Sequence, residues 1–242
     1  MKRIFLPELL TRSRDIKAGS VIDPDPKVLH RIKDVLRAED GSVFEFIDGN
    51  GLVVIAEFNR RDANFAVSKV DRVEKDTSSE ICAVVSMIRR ERFDLMVEKA
   101  VELGVDRIIP FRSERSRPYA NESYEKLKDR WQRIADQALS QCKRDFRCKI
   151  EPICDLSSVK LLIKDYQNKI GFDPTGPKIN KLNLEAARST MFIIGPEGGF
   201  TDGEISTIRS WGIELYSVSD NILRTETAVF YALSVISFLK FS

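Results

Sequence analysis

Two stretches of the chain hold residues whose types and spacing could carry chemistry. The first, "MFIIGPEGGFTDGEI" (residues 191 to 205), is an apolar run that stops at Gly195-Pro196 and sets one carboxylate, Glu197, between Pro196 and the pair Gly198-Gly199. The second, "ILRTETA" (residues 222 to 228), places Arg224 and Glu226 beside an expected helix start at Thr225. Glycines let a ligand approach the main chain without meeting a Cβ and adopt positive φ at little cost. A carboxylate accepts a proton where its surroundings favour the neutral form, and a positioned cation stabilises developing negative charge. Both stretches also have a plain structural reading. The glycine loop then serves as a tight turn, and Arg224 pairs with Glu226 or Glu197 only to brace it. An Arg near the positive end of a helix is mildly unfavourable, which asks for another reason for its presence. Neither stretch is a nicotinamide or ATP fingerprint, since Gly-x-Gly-x-x-Gly and Gly-Lys-Ser/Thr are both absent from the sequence.

An alternation of strands and helices must position these residues. Strand-like runs are expected at Ile81–Met87, Arg107–Phe111, Ile150–Cys154, Lys169–Phe172, Met191–Ile194 and Ile213–Val218. Helical patterns lie between and after them at Phe93–Leu103, Glu122–Gln141, Asp202–Trp211 and Thr225–Leu239. This rhythm predicts an α/β domain with a mostly parallel sheet, whose ligands bind in loops beyond the carboxyl ends of strands. The glycine loop and the 218–225 segment are two such loops. Thr201 with Glu204 three residues on forms a capping box for the helix after the first loop. Upstream the pattern is shorter and richer in strands. "GSVFEFIDGNGLVVIAEF" reads as a hairpin turning at Asp48-Gly49-Asn50-Gly51. "DPDPKVLHRIKDVLRAEDG" reads as a helix with Asp25 as N-cap, Pro26 in its first turn and Val28, Leu29, Ile32, Val35 and Leu36 as its apolar face. His30 is expected to pack on that face. The polar stretch Asp71–Glu80 is the best linker, which divides a β-barrel-like module of residues 1–72 from an α/β domain of residues 73–242.

Bulk composition narrows the classes. The 242 residues are 43% apolar and 31% charged with net charge +2, so the chain is globular and no polycation. Basic residues nevertheless cluster at Arg89-Arg90-Arg92, Arg112-Arg115-Arg117 and Lys143-Arg144-Arg147-Lys149. Such clusters permit contact with a phosphate backbone, although each reads equally well as a solvated face. No stretch is expected to act as a signal peptide or to span a membrane; the apolar run Phe230–Leu239 is too short. His30 is the only histidine, and Cys82, Cys142, Cys148 and Cys154 form no Cys-x-x-Cys pair, so no metal site is expected. Reduced thiols of this kind fit a cytoplasmic protein.

The two C-terminal stretches, together with "EKAVELGVDRIIPFRSERS" (98–116), "RWQRIADQALSQCKR" (130–144) and "HRIKDVLRAEDG" (30–41), resemble the 16S rRNA (uracil-N3)-methyltransferase family, RsmE type, of the SPOUT superfamily. The resemblance covers nearly the whole chain in order. It implies a PUA-like RNA-binding domain at residues 1–72 and a SPOUT domain at 73–242, an α/β fold threaded into a deep trefoil knot. It also implies a homodimer, S-adenosylmethionine as cofactor, and methylation of uracil N3 in the 16S rRNA of the small ribosomal subunit. Carried onto this chain, the cofactor loops are Phe172, Asp173 and Pro174; Ile194, Gly195, Pro196, Glu197, Gly198 and Gly199; and Val218, Ser219, Asn221, Ile222, Leu223 and Thr225. Arg224 is expected to hold the uracil oxygens, with Glu197 or Glu226 taking the N3 proton. RNA contacts are expected from Arg12, Arg31, Arg37, Arg112, Arg115, Arg117 and Arg144. Two departures stand out: Ser219 and Asn221 occupy places where the family usually has Gly and Arg, and Cys142-Lys143 stand where a Ser-Gly pair is common. The alternatives are a SPOUT enzyme acting on another RNA, and a catalytically silent RNA-binding or ribosome-assembly protein. The apolar final helix (Val229, Phe230, Leu233, Ile236, Phe238) would serve a dimer interface or close the core.

Overall fold

A computed structural model describes residues 1–7, 9, 15–116, 123–178 and 188–241, the last two without their side chains. Contacts divide the chain into two units, Met1–Lys75 with Leu139–Arg147, and Asp76–Ala138 with Cys148–Ser242.

In the first unit, β1 (Lys2–Phe5), β2 (Val21–Ile22), β3 (Val43–Ile47), β4 (Leu52–Asn59) and β5 (Asn64–Arg72) form one sheet in the order β1-β3-β4-β5-β2. The pairing of β1 with β3 is parallel and the others are antiparallel. The predicted hairpin turns where expected. Amides of Asn50 and Leu52 donate to the Asp48 carboxylate at 2.6 and 3.0 Å. Gly51 sits at φ +90°, and an added Cβ would lie 2.2 Å from the Val73 carbonyl oxygen, so the turn admits glycine alone. Alternation along the strands turns Phe44, Phe46, Phe58 and Phe65 inward, where their rings meet at centroid distances of 4.8 to 6.2 Å.

The predicted helix begins as α1 (Pro26–His30), with Asp25 accepting from the Lys27 amide at 2.7 Å. It then widens into a π turn, Arg31–Val35, and Arg37 follows at φ +49°. A π turn shifts the phase of the 3.6-residue period, which explains why Ile32 is buried while Val35 is 66% exposed. His30 departs from its expected place on the apolar face. It is exposed, and its Nδ1 lies 2.6 Å from the Asp34 carboxylate one turn on, a partner that keeps the ring hydrated. The segment Leu139–Arg147 is stitched to this sheet by sequence-distant bonds. Gly51 N–H donates to Asp145 O (3.2 Å), Arg147 N–H to Gly49 O (2.8 Å) and Phe5 N–H to Ser140 Oγ (3.1 Å). Arg3, itself buried, pairs with Asp145 and Glu45.

In the second unit, β6 (Ile81–Ser86), β7 (Arg107–Arg112), β8 (Lys149–Ile150), β9 (Cys154–Asp155), β10 (Asn168–Phe172), β11 (Thr190–Ile194) and β12 (Glu214–Tyr216) form the predicted parallel sheet. Its order is β12-β10-β11-β6-β7-β8, with β9 also paired to β7. Parallel neighbours require long crossovers, and most of these carry helices. The helices are α2 (Arg90–Glu102), α3 (Tyr124–Gln141), α4 (Leu156–Leu162), α5 (Asp202–Ser210) and α6 (Thr225–Phe241). Strand β6 is buried at all six positions, as a central strand covered on both faces must be. The single strand expected at Ile150–Cys154 is split into β8 and β9 around Pro152, which has no N–H for a ladder. Helix α4 was not anticipated. On α6, Val229, Leu233 and Ile236 are buried, and the helix packs on α2 and β11, while Tyr231 and Phe238 are exposed.

Cys82 and Cys148 are buried, Cys142 and Cys154 half-buried, and all four are free thiols. Among the described residues no three His, Cys, Asp or Glu side chains gather as a metal site, and no helix is long and apolar enough to cross a membrane.

Candidate functional site

The register of three strands fixes the site. Phe172 at the end of β10 lies opposite both Ile194 at the end of β11 and Tyr216 at the end of β12. The three following loops therefore leave the sheet at one level, and the Asp173 amide bonds the Tyr216 carbonyl at 3.0 Å just beyond it. Between the loops lies a cleft that opens to solvent. The first loop contributes Phe172, Asp173 and Pro174, the second Ile194, Gly195, Pro196, Glu197 and Gly199, the third Val218, Ser219, Asn221, Ile222, Leu223 and Thr225. Thus every residue of the three expected cofactor loops except Gly198 lines one cavity. Tyr216, Ser217 and Ala228 line it too and were not anticipated. Gly198 lines a second cavity, which shares Pro196 and Glu197 with the first.

Each loop is held in shape by bonds within the unit. The Gly199 amide closes a turn onto Pro196 O at 2.9 Å, with Gly199 at φ +70°. Gly195 faces the Phe200 ring so closely that a Cβ would meet it at 3.1 Å. The Thr225 hydroxyl donates to the Gly195 carbonyl at 3.1 Å. Thr225, expected as an N-cap, is instead the first residue of α6 and spends its hydroxyl on the glycine loop; the Ala228 amide reaches back to Arg224 O, which makes Arg224 the cap residue. Buried Asp173 takes the Thr175 amide (2.9 Å) and hydroxyl (2.6 Å) on one oxygen. The Ser219 hydroxyl accepts the main-chain N–H of Asn221 at 3.0 Å, so Ser219 helps to shape its own loop.

The expected capping box at Thr201 and Glu204 is present in both directions, and Glu204 does more than cap. Its other oxygen accepts the Glu114 amide at 2.9 Å, tying the segment after β7 to the start of α5. Arg115 reinforces that tie by donating to the carbonyls of Gly198 (3.0 Å) and Phe200 (3.3 Å).

The ion pairs at the site are not those of the plain structural reading, in which Arg224 braces the loop. Neither Glu197 nor Glu226 pairs with Arg224. Arg92, in the first turn of α2, bonds Glu197 through Nη1, and its Nε lies 3.7 Å from Glu226 Oε1. Two acids, one in the glycine loop and one in the first turn of α6, thus share one cation reached from a third element, an arrangement that sequence spacing could not rank above a local pair. The signal was there in the cluster Arg89-Arg90-Arg92, which the sequence reading gave to phosphate contact or a solvated face. Glu226 is buried, and its Oε2 has no hydrogen-bond partner among the described residues. Arg224 is exposed, adjoins the lining residues Leu223 and Thr225 in the chain, and makes no side-chain ion pair or hydrogen bond among the described residues.

The expected RNA-contacting arginines fall into three groups. Arg31 and Arg37 are exposed on and just beyond the π turn. Arg112 and Arg115 are engaged within the chain. Arg112 donates from Nε to Asp155 at 2.9 Å and sits 5.5 Å from the centre of the Tyr124 ring, and Arg115 braces the glycine loop. The Asp155 carboxylate first, then the Tyr124 hydroxyl, push the Arg112 guanidinium above its ordinary pKa. Arg144 is half-buried in the loop after α3. Arg12 and Arg117 lie outside the described residues.

A family model for RNA methyltransferase domains matches residues 75–237. The ribosomal RNA small subunit methyltransferase E of Buchnera aphidicola subsp. Schizaphis graminum is 30% identical over 93% of this chain and 93% of its own. Among solved structures, a Legionella pneumophila protein assigned as a methyltransferase, in complex with the bound cofactor SAM, superposes with a TM-score of 0.83 at 25% identity, covering 98% of this chain and 96% of that one. The ribosomal RNA small subunit methyltransferase E of Neisseria gonorrhoeae bound to S-adenosyl methionine superposes with a TM-score of 0.82 at 24% identity, covering 99% and 98%.

Proposed function

This chain belongs to the ribosomal RNA small subunit methyltransferase E family of RNA methyltransferases, and on that premise we propose that it transfers a methyl group from S-adenosylmethionine to N3 of a uracil in the 16S rRNA of the small ribosomal subunit. The observation that carries the proposal is the cleft in which the ends of three parallel strands gather all but one residue of the expected cofactor loops.

The residues present fit that cofactor. The cleft is open to solvent and lined by residues of three loops. Its apolar walls, among them Phe172, Ile194 and Leu223, suit an adenine face, and the bare wall at Gly195 and Gly199 lets main-chain groups reach the ligand. Bound there, S-adenosylmethionine supplies an electrophilic methyl carbon on a sulfonium sulfur, which keeps the electron pair of the broken bond as N3 forms the new one.

The protein must then make N3 nucleophilic. An imide nitrogen is a poor nucleophile until its proton leaves, so a base and a stabiliser of the anion are needed. We favour Glu226 to take the proton, because one of its oxygens is buried without a partner among the described residues, whereas Glu197, which lines both cavities, is bound to Arg92. Arg224, unengaged within the described residues, holds the uracil oxygens as charge builds on them. Arg92 keeps both acids in place.

On this reading residues 1–72 are a PUA-like RNA-binding domain and residues 73–242 a SPOUT domain threaded as a trefoil knot. The protein works in the cytoplasm as a homodimer, with Tyr231 and Phe238 on the exposed side of α6 contributing to the interface. Calorimetry with S-adenosylmethionine, run beside methyl transfer by the Arg224→Ala variant, tests the site. The expected result is tight binding to both forms and turnover by the unaltered chain alone. A chain that binds no S-adenosylmethionine contradicts the proposal.

A further inference from the structure

Methyl transfer needs two ligands side by side, and a second cavity adjoins the first. Pro196 and Glu197 line both, so these two residues form a wall common to the two spaces. The second cavity measures about 270 Å³ and opens to solvent. Its chemistry differs from that of the first. Met87 and Ile88, both buried at the end of β6, give it an apolar floor, and Arg89 and Arg115 bring two guanidinium groups. Arg115 is occupied by the carbonyls of Gly198 and Phe200, but Arg89 is exposed and makes no side-chain bond or ion pair among the described residues. Arg89 also gives no side-chain cap to the helix it precedes, so α2 does not require it.

An apolar floor with an unengaged cation at its edge matches one unstacked nucleotide: the floor takes the face of the base and the guanidinium its phosphate. A base inside a helix cannot bring N3 to a methyl group, so the target must be swung out of its stack into a pocket beside the cofactor. Reacting atoms must approach to about 3–3.5 Å, which requires the two pockets to share a wall. We propose that this second cavity receives the extruded target uridine and that Arg89 holds its phosphate. The inference rests on the function proposed above and deepens it by assigning the substrate its own pocket.

Arg89→Ala and Arg89→Lys in the full-length chain test this, using unmodified small ribosomal subunits as substrate at several salt concentrations. Arg89→Ala is expected to raise KM for the subunit about tenfold and to lower the salt slope of RNA affinity by about one. Its dissociation constant for S-adenosylmethionine should be unchanged. Arg89→Lys keeps the charge and should restore the slope while recovering only part of KM, because a guanidinium fork grips phosphate better than an ammonium. An Arg89→Ala chain with the KM and salt slope of the unaltered protein overturns the assignment. So does a change confined to cofactor affinity, which would make the second cavity an extension of the first. Failure of the unaltered chain to methylate any subunit removes the functional reading, and this assignment with it.

Discussion

Arg224, Glu226 and Glu197 each have a distinct signature if they act as described. Removing a preorganised cation that meets developing charge costs about 10²–10³ in turnover. Arg224→Ala should lose that much in kcat with an unchanged melting temperature, since its side chain makes no described bond; near-normal kcat would remove it from the mechanism. Glu226→Gln is nearly isosteric but cannot take a proton, and should lower kcat about 10²-fold or more. Glu197→Gln should cost much less, because Glu197 is tied to Arg92. Equal losses, measured under single turnover, would contradict the choice between the acids. At this scale the sequence revealed types but not partners. Arg224, Glu197 and Glu226 were legible as a cation and two acids near loops, yet their organiser, Arg92, lies 105 residues from Glu197. The plain structural reading paired Arg224 with Glu226 or Glu197, whereas the fold gives both acids to Arg92.

The loop between β11 and α5 joins both cavities to the sheet and must hold its shape. Gly199 at φ +70° cannot become Val without a backbone cost of about 1–3 kcal/mol. Gly199→Val should therefore weaken S-adenosylmethionine binding at least tenfold by calorimetry; unchanged affinity would mean that the loop does not meet the ligand. Glu204 is buried, caps α5 and holds the Glu114 amide, so Glu204→Ala removes a cap and leaves a buried amide unpaired. A loss of about 2 kcal/mol is expected in denaturant unfolding. Elements were the most legible level of this chain. Hydrophobic rhythm located β6, β7, β10 and β11 and helices α2, α3, α5 and α6 to within a few residues, and the Thr201–Glu204 spacing gave the cap. What escaped had specific causes: α4 is two turns long, the π turn breaks the period that the eye counts, and Pro152 cuts a run that looks continuous. Sequence spacing also could not show that three strand ends stand level, which is what gathers three loops into one cleft.

Across the whole molecule, the two units differ in how their stability should respond to truncation and to acid. The first unit includes Leu139–Arg147, whose Asp145 partners buried Arg3. A fragment of residues 1–75 keeps Glu45 beside Arg3 but loses the Asp145 carboxylate, the Ser140 hydroxyl that takes the Phe5 amide and the Asp145 carbonyl that takes the Gly51 amide; each polar group left without its partner costs about 1–3 kcal/mol, together enough to unfold a small unit. Circular dichroism should show the fragment largely unfolded, and a cooperative transition near that of the full chain would contradict this account. No linker composition could have announced that a piece of the α/β half of the chain completes the β-rich unit. In the second unit, burial raises the Glu151 carboxyl, but Lys149 and Arg107 outweigh it and hold its pKa below the usual carboxylate range. An acid with a depressed folded pKa stabilises above its unfolded value, about 4.3, and loses that contribution as pH falls through the folded value. Glu151→Gln should lower stability at pH 7 and flatten the decline of melting temperature below about pH 4; an unaltered acid limb would show that the pair contributes nothing. The measurement that tests the central claim most directly is methyl transfer from labelled S-adenosylmethionine to small ribosomal subunits lacking the modification, followed by identification of the product nucleoside by mass spectrometry. The account predicts 3-methyluridine as the labelled nucleoside. Label on any other base, or at another position of uridine, or no label at all, would contradict it.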